Sequence, residues 1–224
     1  MAKFGSNKTR FFPALIFSIA TLCAPPVWAA VATVDTDGVK FAEKTSLSTK
    51  GAKLILNGVG VRGVSIFRGY AMALYLSERQ SDAAAVLALK GAKRIEIVPL
   101  IDVPAEEWAK ALVRGIEKNH NETELAALKT RTETFRATLL ALKTTPKETN
   151  LQIDYLPQSG TLLSVNGKRQ GEPIKGEDFF RAVLKIWIGE RPAAKDLKDA
   201  LLGKAAPGQP RLVFTQTKPA EGQP

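Results

Sequence analysis

Apolar residues fall into two kinds of block along this chain. Short runs of strand length occupy 39–41, 53–57, 64–67, 70–76 and 94–101. The run 70–76 is apolar at nearly every position, which predicts a strand covered on both faces. Residues 151–156 and 161–165 predict a hairpin around Pro157-Gln158-Ser159-Gly160, and the alternation in LQIDYL predicts one solvated face. Asn166-Gly167 is a turn signal that leads to a further short strand. Helical periods lie between these runs. Residues 81–89 predict a short helix, and Pro104 with Glu106 and Glu107 marks the start of a longer one carrying Trp108, Leu112 and Ile116 on one stripe. A helix over 122–142 would bury Leu125, Leu128, Phe135 and Leu139. One over 179–188 ends near Gly189, with Pro192 beyond, and 194–202 forms the last. Strands, helices, strands, then helices is the order of an α+β domain.

Gly58, Gly60 and Gly63 interrupt the pattern after 53–57. They predict a glycine-rich turn, or a place where the backbone approaches something closely.

The N-terminus changes the picture of the whole. Lys3, Lys8 and Arg10 precede the apolar stretch FFPALIFSIATLCA, and PPVWAA follows, with Val27 and Ala29 placed for cleavage before Ala30. This is the order of a secretory signal, so residues 1–29 are expected to be removed and 30–203 to form the working domain in a periplasm. The apolar run is shorter than the roughly 20 residues that span a bilayer. No later segment is apolar for long enough, so no transmembrane segment is expected after signal removal. Cys23, the only cysteine, leaves with the signal, which excludes disulfides, thiol nucleophiles and cysteine metal sites from the rest. The composition beyond Lys204 predicts a disordered tail over 204–224.

The full chain has a net charge of +10; residues 30–224 keep +7, from 29 basic and 22 acidic side chains. The charges are scattered, with no basic block interleaved with aromatics, so nucleic acid is not expected as a partner. No P-loop, dinucleotide fingerprint or nucleophile elbow is present, and no cofactor is implied. His120 is the one histidine and sits at a helix end, where it favours the helix dipole. Arg62 stands between glycines amid apolar strand residues. It needs a partner there: either a protein carboxylate in a structural ion pair, or an anionic ligand matched to its planar fork.

GVGVRG, then YAMALYL, then Asn119 near a helix end, and finally AVLKIWIGERPAAKDLKDALLG resemble the chalcone isomerase superfamily, in its bacterial exported branch, over residues 37–202. The resemblance implies an open-faced β-sandwich, a large antiparallel sheet packed by a layer of helices, with a ligand cleft between them. It carries the family's nucleophile-holding arginine onto Arg62, its asparagine onto Asn119 and a lysine onto Lys93. A threonine of the family corresponds to Tyr70, a ketone-polarising tyrosine to Leu112 and a late-helix threonine to Ile186. With those polar groups replaced, chalcone cyclisation is not expected, since apolar side chains cannot stabilise a developing enolate. Arg62 beside Tyr70 resembles the fatty-acid-binding members instead. The expected ligand is a small apolar anion, with Lys93 and Asn119 as further candidate contacts. An isomerase or lyase using Arg62 as an oxyanion clamp, and an interaction protein with a closed cleft, are the alternatives.

Overall fold

The computed structural model describes residues 33–47, 51–64 and 67–204, without the side chains of 64, 67 and 68. Residues 1–29, expected as a secretory signal, and most of the tail expected over 204–224 lie outside the described residues. The described part opens with the hairpin β1 (Thr33–Thr36) and β2 (Val39–Ala42). A seven-stranded sheet follows, built from β3 (Lys44–Ser46), β4 (Lys53–Val64), β5 (Phe67–Leu76), β6 (Lys93–Pro99), β9 (Leu151–Leu156), β10 (Gly160–Val165) and β11 (Lys168–Ile174). Its order is β11-β10-β9-β6-β5-β4-β3, and every pairing in it is antiparallel. A two-residue bridge joins β7 (Val103–Pro104) to β8 (Thr144–Thr145). The helices are α1 (Ala83–Ala88), α2 (Ala105–Lys118), α3 (Glu122–Leu140), α4 (Glu177–Ile188) and α5 (Lys195–Leu201).

The sheet is buried on both faces. Tyr70, Met72, Leu74 and Leu76 of β5, with Ile95, Ile97, Ile153 and Tyr155, meet the apolar faces of α2, α3 and α4. Ala71, Ala73 and Tyr75 look the other way, into a second cluster with Phe41, Leu54, Leu56 and Val98. Helix α2 buries Ala105, Ala109, Leu112 and Ile116, as its apolar stripe requires. Helix α3 buries Leu128, Thr132, Phe135 and Leu139. Asn121 starts α3 with a capping box: its carbonyl oxygen accepts from the Glu124 backbone N–H, and Glu124 accepts from the Asn121 N–H in return.

Two expectations are corrected. The glycine stretch is not a turn: β4 runs unbroken through it, and the separate strand expected over 64–67 divides between the end of β4 and the start of β5. Gly58 and Gly60 serve a close approach instead. A Cβ on Gly58 would collide with the Ala200 carbonyl oxygen, and one on Gly60 would lie 2.8 Å from Ala200 Cβ and 2.9 Å from Leu197 Cδ1. Helix α5 therefore rests on bare backbone. The bulged residue Asn57 locks it there, donating to the Leu201 carbonyl at 2.8 Å and to that of Gln80 at 2.9 Å.

The second correction concerns β9. LQIDYL does not have a solvated face, because Asp154 is buried and accepts two hydrogen bonds from Arg94, at 2.6 and 2.7 Å. A charged residue at an alternating position indicates solvent only when no opposite charge lies across the strand. Here Arg94 is directly opposite in register.

Gly58→Ala should force α5 away from β4 and cost about 1–3 kcal/mol, the usual range for overpacking a well-filled interior. Urea denaturation of the variant beside the parent protein measures this. An unchanged midpoint would mean that α5 is not held at this distance.

Candidate functional site

Gly58, Gly60 and Arg62 point to the same face of β4, because alternate residues of a strand do so and each stands opposite a helix-facing residue of β5. The two glycines make room for α5. Arg62, two residues further on, is the next residue of that face and brings back a side chain, a long cation. Its register partner is Tyr70, and the guanidinium carbon lies 6.0 Å from the centre of the Tyr70 ring, within cation–π range.

Two helices complete the surroundings of Tyr70. Helix α2 brings Trp108, whose ring is tilted at 48° to that of Tyr70, with centroids 5.4 Å apart. Helix α4 brings Trp187, whose Nε1–H donates to the Tyr70 hydroxyl oxygen at 2.8 Å. Burial raises the Tyr70 pKa above its ordinary value of 10, against a smaller downward pull from the Trp187 hydrogen bond and the Arg62 charge. Tyr70 is thus a neutral phenol that can donate its own hydrogen.

The arrangement is rich in donors and poor in acceptors. The Trp108 Nε1–H is buried and has no hydrogen-bond partner. Among the described residues, Arg62 makes no hydrogen bond or ion pair with a carboxylate, so the structural ion pair envisaged for it is not observed there. The Tyr70 hydroxyl likewise has no acceptor for its hydrogen among them. A buried donor left unpaired costs about 1–3 kcal/mol, so the Tyr70 hydroxyl and the Trp108 indole, with the half-buried Arg62 beside Tyr70, favour an incoming acceptor. Leu112 and Ile186, both 5% exposed, belong to the apolar core cluster that also holds Tyr70 and Trp187, and α2 and α4 touch closely: a Cβ on Gly115 would lie 2.7 Å from two Ile186 carbons.

The other two candidate residues are elsewhere. Lys93 opens β6 opposite Tyr155, whereas Tyr70 stands opposite Pro99 at the far end of the same strand, roughly 20 Å away at 3.3 Å per residue. Lys93 is completely buried, with Nζ 3.4 Å from Glu177 and 5.5 Å from the centre of the Tyr155 ring. Burial lowers its pKa, against the raising effect of Glu177. Asn119 caps α2. Its amide donates to the carbonyls of Gly115 and Arg191, and its oxygen accepts from the Arg191 N–H at 3.0 Å. With those bonds made, Asn119 clasps the helix end to the loop after α4.

Trp108 and Trp187 went unnoticed as site residues because each sits on an apolar helical stripe, where an indole reads as core. The one available signal was chemical, that a buried indole N–H needs an acceptor. Among the described residues, no three His, Cys, Asp or Glu side chains are grouped to hold a metal ion, and no helix is long and apolar enough to cross a membrane.

A seven-stranded antiparallel sheet packed by helices, with an arginine and a tyrosine side by side on its helix-facing side, defines the class of protein. Residues 33–203 match the sequence profile of the chalcone isomerase-like family, and the chain belongs to that family. The structure is similar to the crystal structure of a fatty-acid binding protein from Arabidopsis thaliana. The two superpose with a TM-score of 0.58 at 15% identity, over 76% of this chain and 96% of the plant protein. No curated protein matches by sequence.

Tyr70, Tyr75 and Tyr155 are all the tyrosines of the chain, and burial raises the pKa of each. The folded protein holds these protons more tightly than the unfolded one. Their contribution to stability is therefore complete below pH 10 and is lost as pH rises beyond it. Absorbance titration should show tyrosinate appearing at a higher pH in the native protein than in the protein unfolded in urea. Early tyrosinate absorbance in a still-folded protein would contradict the buried placement.

Proposed function

We propose that this protein binds a small apolar carboxylate of the fatty-acid type, clamped by Arg62 and Tyr70, and that it does not cyclise chalcones. The observation that carries this reading is the set of donors without acceptors: the Arg62 guanidinium, the Tyr70 hydroxyl and the Trp108 indole on the helix side of the sheet. A carboxylate offers two oxygens with about four acceptor positions, which suits a guanidinium fork and a phenol at once. Leu112 and Ile186, in the same apolar core cluster as Tyr70, favour an apolar body. The kinship of fold with a plant fatty-acid binding protein supports the same ligand class.

Catalysis by the family's route is less well supported. Leu112 and Ile186 offer no hydrogen bonds to an enolate, and the Asn119 side chain is engaged by backbone groups. Arg62 and Tyr70 can hold an anion, but among the described residues no carboxylate or imidazole is bonded to either of them to relay a proton as a general base must.

Arg62→Ala should weaken the binding of a medium-chain fatty acid at least 10-fold, and Trp108→Phe, which keeps the ring and removes the N–H, several-fold. Isothermal titration with decanoate measures both, with circular dichroism confirming the fold. Absence of any binding by the parent protein would refute the ligand class.

The same proposal places the protein in a periplasm, after removal of residues 1–29. Mass spectrometry of the protein from its native host should give a chain that begins at Ala30. A chain that retains Met1 or Ala2 in the cytoplasmic fraction would contradict export.

A further inference from the structure

A concavity lies between α1, α3 and α4. Its volume is about 530 Å³, within the roughly 300–1,000 Å³ that encloses small ligands. Leu87, Ala88, Leu128 and Ala182 make its floor, and Arg181 and Lys185 stand on one side of it. These two cations belong to α4, a helix whose other side chains from Phe179 to Ile188 are all buried. Four residues apart, they share one face of the helix.

Among the described residues, the two cations of this trough are not paired with its carboxylates. Two carboxylates line it as well, but both are engaged. Asp178 receives two hydrogen bonds from Arg131, at 2.7 and 2.6 Å, and Glu124 accepts from the Asn121 backbone N–H in the capping box of α3. These contacts hold both carboxyls below their ordinary pKa values, and the nearby Lys185 and His120 charges lower Glu124 further. His120 uses Nδ1 on the Ile116 carbonyl at 2.8 Å, so Nε2 remains. Among the described residues, neither the Arg181 guanidinium nor the Lys185 ammonium makes a hydrogen bond or ion pair. Both are only half exposed. Half-buried cations above an alanine and leucine floor suit a molecule with an apolar body and an oxyanion head.

We infer that the trough between α1, α3 and α4 is a second ligand site, which takes an amphipathic oxyanion with its head on Arg181 and Lys185 and its chain along Leu87, Ala88 and Leu128. This site is independent of the Arg62 clamp. Its head group is a phosphate monoester or a carboxylate, which share the chemistry that the two cations recognise.

Octyl phosphate, octanoate and 1-octanol can be titrated into the isotopically labelled full chain and followed by amide NMR. Octyl phosphate or octanoate should shift the amides of Ala84, Ala127, Arg181 and Lys185. Which of the two binds more tightly identifies the head group. The R181Q/K185Q double variant should weaken binding at least 10-fold, whereas Arg62→Ala should leave it unchanged. Ala127→Glu, at an exposed position of α3, keeps both cations and adds a repelling carboxylate, and should weaken binding likewise. Equal shifts with uncharged octanol, unaltered affinity in the double variant, or perturbation confined to the Trp108 and Trp187 indoles would overturn the assignment.

Discussion

From Ala71 to Leu76, β5 is sealed from water on both faces, and every layer of the domain answers to that burial. A strand buried on both sides needs a cover on each, and it needs both neighbours to complete its hydrogen bonds. Strands β4 and β6 supply the bonds. Helices α2 and α4 cover one face, and the cluster around Phe41 covers the other. Helix α5 can then reach the sheet only across β4, and it does so where β4 has no side chains. The glycines are thus a consequence of layering rather than of chain reversal.

The position of the candidate site follows from where this sealed region ends. Tyr70 is the last helix-facing residue of β5 before the strand leaves the core, and Arg62 is the first long side chain of β4 beyond the shelf occupied by α5. Pairing in register places them side by side. Trp108 and Trp187 then enclose the tyrosine from two helices, one by a tilted ring contact and one by hydrogen bond. A phenol held in this way keeps its proton, and the guanidinium beside it has no carboxylate partner among the described residues. The result is a cation beside a buried phenol on the helix-facing side of the sheet.

Lys93 shows the opposite outcome for a buried cation. It lies at the other end of β6, under the start of α4, with Glu177 and the Tyr155 ring as company. Arg94, the next residue, faces the opposite side of the sheet and meets Asp154 in a two-pronged pair. Removing one partner of such a pair leaves an uncompensated buried charge, at a cost of about 3–5 kcal/mol. Adjacent basic residues thus serve different faces, which follows from the two-residue period of a strand. Neither is near Arg62.

Local chemistry written in the sequence determined most of the elements. The apolar stripe of α2, the Asn121 cap of α3, the Gly189 end of α4 and the continuous apolar run of β5 all depend on residues within a turn or two of one another. The pairing of Arg62 with Tyr70 was also within reach, since both lie on neighbouring strands and the family resemblance brought them together. Tertiary structure alone decided whatever depended on contact across long stretches of chain. Ala200 on Gly58, Arg94 on Asp154, Trp187 on Tyr70 and the commitment of Asn119 to the Arg191 loop join residues 60 to 142 positions apart. A glycine, an aspartate or an asparagine has the same composition whether it faces water, a ligand or another backbone. Only packing assigns its partner, and in this domain that assignment separates Arg62, which has no carboxylate partner among the described residues, from the polar side chains that hold the fold.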